Sequence, residues 1–143
     1  MPAQFDDFGI RFLYPENWKT VDREESEGDR GVTFDLPDGG FLSVEVTEAE
    51  SETDLLERII AAIAEEYEDL EHESSQMEIL PSGVKATDLR FYYLDLLIMS
   101  RIVILPYSAD VDALLVIQMQ AESRDFDKNE AVFAAVLKQI LES

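Results

Sequence analysis

The stretch LLIMSRIVILPYSADVDALLVIQMQ, residues 96–120, decides the fold class, because it contains two runs with apolar residues at consecutive positions. Successive side chains of a strand point to opposite faces of its sheet, so each run has two apolar faces. In the first run Ile98, Ile102 and Ile104 oppose Met99, Val103 and Leu105, and in the second Leu115, Ile117 and Met119 oppose Leu114 and Val116. Strands of this kind occur where a sheet is covered on both sides. The stretch therefore predicts two central strands, at about 97–106 and 112–120.

The segment SETDLLERIIAAIAEEYEDL, residues 51–70, has a helical instead of a strand period. Its apolar stripe is formed by Leu55, Leu56, Ile59, Ile60, Ile63 and Tyr67. Ser51 and Asp54 have the spacing of a capping box, in which a side-chain oxygen accepts a hydrogen bond from the first turn. We predict a helix over about 52–68.

The C-terminal segment DFDKNEAVFAAVLKQILES, residues 125–143, predicts a second helix over about 128–141. Asp127 and Glu130 again have capping-box spacing. The apolar stripe consists of Phe133, Val136, Leu137, Ile140 and Leu141. We expect this stripe to pack on the sheet.

Three turns in the chain share one pattern, with proline second and asparagine or glycine fourth. They are YPEN at 14–17, LPDG at 36–39 and LPSG at 80–83. Proline presets the backbone of the first central residue, and Asn17, Gly39 or Gly83 can adopt a left-handed conformation. Turns of this type join antiparallel strands.

The order of the predicted elements favours an α+β fold. Four strands are predicted before the first helix: one in residues 8–14, one that resumes at Trp18, and two from the alternation around the turn at 36–39, in Val32, Phe34 and Leu36 and in Leu42, Val44 and Val46. Further strands are predicted at about 71–80 and 84–95, so the order is four strands, a helix, four strands and a helix. Strands and helices that do not alternate argue against a doubly wound parallel sheet. A chain of 143 residues has the length of one domain, so we predict a single domain over 1–143.

The segment GIRFLYPENW, residues 9–18, followed by a hairpin, one helix, a long antiparallel meander and a C-terminal helix, resembles the PsbP-like superfamily. That group includes extrinsic photosystem proteins, bacterial lipoproteins and a nuclear-import factor that binds the GTPase Ran. The resemblance implies an antiparallel sheet flanked by helices on both faces, an α/β/α sandwich. It also implies an accessory or binding role, mostly without catalysis.

The charge of the chain restricts its partners. It has 32 acidic residues against 11 Lys plus Arg, which gives a formal net charge of -21. Such a surface repels phosphate, so we expect neither nucleic acid nor an anionic membrane as a ligand. Two interpretations of the charge stay open, a solubilising surface and a docking face for a basic protein partner.

The N-terminus MPAQFDDFGI has neither a basic segment nor a long apolar run, and Asp6 and Asp7 precede the first predicted strand closely. We therefore predict a cytoplasmic protein. The longest apolar runs are far shorter than the ~20 residues that a helix needs to cross a bilayer. No membrane association is expected.

No catalytic, cofactor-binding or metal-binding residue is predicted. The chain has no cysteine, and its one histidine, His72, lies in the acidic stretch EDLEHESS, where a solvated surface side chain is expected. The segment starting at Asp125 begins like a calcium loop, but its sixth and twelfth positions are Glu130 and Val136 instead of Gly and Glu. We read that segment as a helix cap.

One candidate binding feature is a groove lined by Tyr14, Trp18 and Tyr92. The competing interpretation is core packing, in which Phe91 and Tyr93 share one layer and Tyr92 lies in the other.

These patterns favour a small acidic, non-enzymatic binding or accessory protein without a cofactor. One alternative is a secretion-chaperone-like homodimer, because such chaperones are also small, acidic and α+β. Another is an enzyme of unidentified chemistry, because 32 acidic residues leave room for a carboxylate pair. Neither the oligomeric state nor the identity of a partner follows from the sequence.

A first prediction concerns salt. A net charge of -21 on one small domain repels itself, and salt shortens the screening length from ~30 Å at 0.01 M to ~10 Å at 0.1 M. We expect the melting temperature at neutral pH to rise with sodium chloride between ~0.01 and ~0.5 M. A flat or falling melting temperature would show that ion pairs or a bound cation already compensate the carboxylates.

Overall fold

The computed structural model of the chain describes residues 3–7, 9–21, 31–48, 51–67, 70–75, 86–107 and 112–142. The strands are β1 (Ala3–Asp7), β2 (Ile10–Tyr14), β3 (Lys19–Thr20), β4 (Gly31–Asp35), β5 (Phe41–Glu48), β6 (Glu71–Ser75), β7 (Ala86–Tyr93), β8 (Leu96–Pro106) and β9 (Ala113–Glu122). The helices are α1 (Glu52–Glu66) and α2 (Ser123–Leu141). The predicted α+β class is confirmed.

Seven strands form one sheet in the order β3-β4-β5-β9-β8-β7-β6, and β1 and β2 form a separate two-stranded sheet. Every pair of neighbouring strands is antiparallel. β9 is the middle strand and β8 lies beside it. The prediction that residues 96–120 supply central strands is therefore confirmed.

The buried apolar side chains form two clusters. The larger one contains Phe133 and Leu137 of α2, with Val103 and Ile117 of the sheet. The smaller one contains Leu55, Leu89, Ile102 and Val116, and α1 packs against it through Leu56, Ile59, Ile60 and Ile63. Ile102 and Val103 are consecutive on β8 and belong to different clusters. Both helices thus take part in the core through the stripes predicted from their sequences.

The predicted cap of α1 is present. The Ser51 hydroxyl oxygen accepts a hydrogen bond of 3.1 Å from the backbone N–H of Asp54. The helix α1 begins at Glu52, directly after Ser51. At the other end the backbone N–H of Tyr67 donates to the Ile63 carbonyl at 3.1 Å. A hydrogen bond of this kind satisfies a backbone group that has no partner within the helix.

The predicted start of α2 is wrong by five residues, since the helix begins at Ser123 and not at 128. Its cap is Glu122, whose side chain accepts from the backbone N–H of Arg124 at 3.1 Å. Asp127 therefore lies within the helix and caps nothing. The reason is tertiary, because Phe126 is buried and its ring centroid lies 5.5 Å from that of Phe133, which holds the first turn on the core.

The turn between β4 and β5 has the predicted form. The Gly39 N–H donates to the Leu36 carbonyl at 3.0 Å, the Leu36 N–H donates to the Gly40 carbonyl at 2.9 Å, and Gly39 has φ +97°. A side chain at Gly39 would be strained at that angle. The turn at 80–83 lies outside the described residues.

The turn at 14–17 differs from the prediction. The Trp18 N–H donates to the Pro15 carbonyl at 3.0 Å, so the turn starts one residue later than the sequence pattern implied. Asn17 is not left-handed, since the non-glycine residues with positive φ in the described ranges are Leu94 and Asp95. β2 pairs with β1, whereas β3 pairs with β4. The turn thus carries the chain from one sheet to the other and does not join paired strands.

The sequence pattern also missed β1. Asp6 and Asp7 lie within this strand, opposite Arg11 and Ile10 of β2, and do not precede the first strand as predicted. The strand is held by Phe5, whose ring stacks on Phe12 with centroids 5.1 Å apart. A tertiary contact of one aromatic side chain outweighs the polar character of its neighbours.

Candidate functional site

The connection between β7 and β8 is a tight hairpin anchored in the core. Phe91, Tyr92 and Tyr93 pair with Ile98, Leu97 and Leu96, respectively. Phe91 is buried, and its ring stacks on that of Tyr67, at the C-terminus of α1, with centroids 4.4 Å apart. The Tyr93 ring meets the same Tyr67 ring edge-on at 5.9 Å. The predicted sharing of one layer by Phe91 and Tyr93 agrees with this geometry.

The hairpin turns in two residues, Leu94 with φ 49° and Asp95 with φ 65°. Positive φ at both central residues is the mark of a type I′ turn, whose twist matches that of the two strands. Asn, Asp and Gly suit these positions because they tolerate the left-handed conformation. Leucine does not belong to that group, and Leu94 is strained there.

Residues 92–96, which we call the hairpin tip, are all exposed. The exposed fractions of its large apolar residues are 58% for Tyr92, 53% for Tyr93, 79% for Leu94 and 45% for Leu96. The other exposed large hydrophobic residues of the described ranges, Leu13 and Val21, are not adjacent in sequence to the hairpin or to each other. Single exposed apolar side chains are normal, whereas a cluster marks an interaction site.

The structure does not bring the three predicted groove residues together. Trp18 is 4% exposed, with its ring centroid 6.3 Å from that of Phe34 and 6.1 Å from that of Phe133. Tyr14 packs on Phe34 with centroids 4.4 Å apart. Tyr92 lies on β7, and three strands separate β7 from β4, which carries Phe34. Tyr14 and Trp18 are therefore neighbours in the core region, and Tyr92 belongs to a different surface.

Sequence reasoning missed Tyr93, Leu94 and Leu96 as surface residues. It extended the strand to residue 95, offered Tyr92 for a groove and placed Tyr93 in a layer with Phe91. One signal was available, because Leu94 and Asp95 stand between two apolar strands and Asp is a frequent residue of two-residue turns. The exposure of the tip depends on the pairing of Tyr93 with Leu96, which places Leu94 and Asp95 at the turn.

A buried ion cluster lies on the sheet beneath α2. Arg101 is 3% exposed, and its guanidinium donates to both carboxylate oxygens of Asp88, at 2.8 and 3.2 Å, and to Glu130 of α2 at 3.1 Å. Its Cζ lies 5.1 Å from the centroid of the Phe126 ring. The cluster thus joins β7, β8 and α2.

Burial by itself would lower the pKa of Arg101. The hydrogen bond and charge of Asp88, together with the charge and hydrogen bond of Glu130, outweigh this effect, so the pKa of Arg101 is raised. A group whose pKa is raised by folding contributes its full stabilisation below its unfolded pKa and loses it only as the pH rises through the folded value. Arg101 therefore contributes in full at neutral pH. Because it is buried and paired, we assign it a structural role.

An open cleft of about 520 Å³ lies between the β1–β2 turn and the end of α2. It is lined by Asp6, Gly9, Arg11, Gln139 and Glu142. Arg11 and Asp6 form an ion pair of 3.3 Å, and both side chains are more than half exposed. Solvated charges of this kind bind a ligand weakly. The cleft gives no grounds for a catalytic assignment.

Other expected functional features can be placed only in part. His72 lies on β6, opposite Leu89. Within the described ranges, no group of three or more His, Asp or Glu side chains could hold a metal ion. In the same part of the chain, neither helix is long and apolar enough to cross a membrane.

The comparisons with known proteins concern the fold. No family model and no curated protein sequence matches the chain. The structure is similar to cyanobacterial PsbP (CyanoP) from Synechocystis sp. PCC 6803, with 17% identity, 96% of this chain and 90% of that chain covered, and a TM-score of 0.59. It is also similar to the Saccharomyces cerevisiae Ran-binding protein Mog1p, with 10% identity, 99% and 93% covered, and a TM-score of 0.61.

A third similar structure is the protein PA94 of Pseudomonas aeruginosa, described as a putative regulator of unknown function. It has 13% identity, 99% of this chain and 94% of that chain covered, and a TM-score of 0.54. The predicted resemblance to the PsbP-like fold is confirmed. At these identities the similarity establishes the fold alone.

Proposed function

We propose that this protein is a non-enzymatic accessory protein that binds a protein partner through the hairpin tip, residues 92–96. The observation that carries the proposal is the exposure of four large apolar side chains in one tight turn, Tyr92, Tyr93, Leu94 and Leu96. Aromatic residues are enriched where protein interfaces concentrate their binding energy. A protein-binding role is in keeping with the description of one similar structure as a Ran-binding protein.

The scaffold behind the tip supports this role by its rigidity. The two tip tyrosines directly follow Phe91 on β7. Phe91 is buried, and its ring is stacked on that of Tyr67. A contact surface that is already ordered loses little conformational freedom on binding. The tip is therefore suited to insert into a partner without rearrangement.

We infer that the scaffold is one domain in which α1 and α2 cover opposite faces of the sheet. Alternate residues of a strand point to opposite faces, and the consecutive residues Ile102 and Val103 belong to the α1 and α2 clusters, respectively. This arrangement corresponds to the α/β/α sandwich that the resemblance to the PsbP-like superfamily implies. It leaves the β7–β8 turn as a projection from the end of the sheet.

The partner that we propose is basic. The chain carries a net charge of -21, and the tip itself contains Asp95 in an exposed position. Opposite charges accelerate encounter between proteins and select the partner, and salt weakens the effect. A cytoplasmic location stays a prediction.

A photo-crosslinking experiment tests the proposal. The photoreactive residue p-benzoylphenylalanine replaces Tyr93 in one variant and Thr20, an exposed residue of β3, in the control. We expect Tyr93→p-benzoylphenylalanine to crosslink a basic protein in cells, and expect the yield in extracts to fall as sodium chloride is raised from ~0.01 to ~0.5 M.

Two results would contradict the proposal. One is an equal crosslinking pattern from both positions, which would show that the tip is not a specific surface. The other is a complete lack of crosslinks from position 93. A crosslinked product that contains two copies of this chain would instead favour the homodimeric chaperone alternative, and light scattering would then give a dimer mass.

A further inference from the structure

The two central residues of the β7–β8 turn differ in how well they suit it. Asp95, with φ 65°, is one of the residue types that adopt the left-handed conformation readily. Leu94, with φ 49°, is not, because its Cβ crowds the backbone and its side chain has no polar atom to form a local hydrogen bond. The strain of this turn therefore lies at Leu94.

Burial of the Leu94 side chain does not compensate for that strain among the described residues. The side chain of Leu94 is 79% exposed, the largest exposed fraction among the large hydrophobic residues described. A leucine gains from the hydrophobic effect only when its surface leaves water. Asparagine at this position would relieve the conformational strain and expose no apolar side chain.

Strained residues that persist in a structure point to a function for which the strained conformation is needed. At the head of a type I′ turn, a side chain projects beyond both strands and is flanked here by Tyr93 and Leu96. We propose that Leu94 is the anchor of the interface and inserts into an apolar pocket of the partner protein. This inference rests on the proposed function and assigns the central contact of that surface.

The chemistry of the tip defines the pocket. The floor of the partner's pocket is apolar and accepts one branched aliphatic side chain. The rim of that pocket carries Arg or Lys, which pairs with the exposed carboxylate of Asp95. A second copy of this chain is disfavoured as the partner, because two copies that each have a net charge of -21 repel each other. A bilayer does not fit, because the carboxylate of Asp95 would enter it beside Leu94.

The test combines stability with binding for Leu94→Asn. Relief of the strain is expected to raise the melting temperature of the free protein by about 2–4 °C. In the background of Tyr93→p-benzoylphenylalanine, the same substitution is expected to lower the crosslinking yield to the partner by about tenfold or more. Leu94→Met is the matched control, since it keeps an apolar side chain of similar volume in place and is expected to retain most of the yield.

The outcomes separate this inference from the proposed function. If Leu94→Asn stabilises the protein but leaves the crosslinking yield unchanged, Leu94 is not the anchor, although the tip remains a binding surface. If Leu94→Asn lowers the melting temperature, the strain argument is wrong. If position 93 captures no protein even with Leu94 present, both proposals fail.

Two further measurements test for a membrane and for a second copy of this chain as the binding partner of Leu94. Leu94-dependent sedimentation with phosphatidylcholine vesicles would overturn the protein pocket in favour of a membrane surface. A Leu94-dependent crosslink between two copies of this chain would contradict the proposal that the partner is a different protein. A pocket on the crosslinked partner that lacks Arg and Lys at its rim would overturn the assignment for Asp95.

Discussion

Replacement of Trp18 by Ala is expected to lower the free energy of unfolding by about 3–5 kcal/mol, the usual loss when a large buried aromatic side chain is deleted. Trp18 is 4% exposed, and its ring lies between Phe34 of β4 and Phe133 of α2. Its removal would leave a cavity between the sheet and α2, next to the turn at 15–18. Urea titration followed by circular dichroism measures the loss.

Tyr92→Ala is the matched control for Trp18→Ala. Tyr92 is also aromatic and lies on β7, but it is 58% exposed, so its deletion should change the free energy of unfolding by no more than about 0.5 kcal/mol. A loss of less than about 1 kcal/mol for Trp18→Ala would contradict the observed burial and return Trp18 to the set of candidate binding residues.

Replacement of Arg101 by Met is expected to lower the free energy of unfolding by about 3–5 kcal/mol, the range seen when one partner of a buried ion pair is removed. The substitution keeps much of the side-chain volume against Phe126. It leaves Asp88, whose side chain is 13% exposed, without its two hydrogen bonds. The cause of the loss would therefore be an uncompensated carboxylate and not a packing defect.

The double variant Arg101→Met with Asp88→Leu distinguishes these causes. It removes the buried carboxylate along with the guanidinium, and apolar replacements of buried ion pairs are often close to neutral. Glu130 can turn to water, because its side chain is already 32% exposed. We expect the double variant to recover most of the stability that Arg101→Met loses. If it is no more stable than Arg101→Met, Asp88 is not the source of the loss.

The candidate site was predicted only in part. Of the predicted residues, Tyr92 lies in the hairpin tip, whereas Tyr14 packs on Phe34 and Trp18 is buried. The exposure of Leu94 was not predicted, because a run of apolar residues does not indicate where the chain leaves the sheet. Asp95 is a weak signal for a turn, and the position of the turn is decided by the pairing of Tyr93 with Leu96, which is a property of the register between two strands.

The sequence by itself determined the features that depend on local periodicity. These are the α+β class, the central position of the strands in residues 96–120, the helix α1 with its Ser51 cap, the hairpin at Gly39 and the strongly acidic surface. Each follows from side-chain spacing, turn chemistry or charge within a short window, where neighbours along the chain are also neighbours in space.

Only the tertiary structure decided which aromatic residues are buried, where α2 begins and what surrounds Arg101. Phe126 starts α2 early because Phe133 and the sheet lie beside it, and Arg101 is satisfied by Asp88 and by Glu130, which lies on another element. Tyr67, the residue after α1, likewise packs its ring on those of Phe91 and Tyr93 of β7, at the base of the hairpin tip. These outcomes depend on contacts between residues far apart in the chain, and such contacts leave no periodic signal in a single sequence.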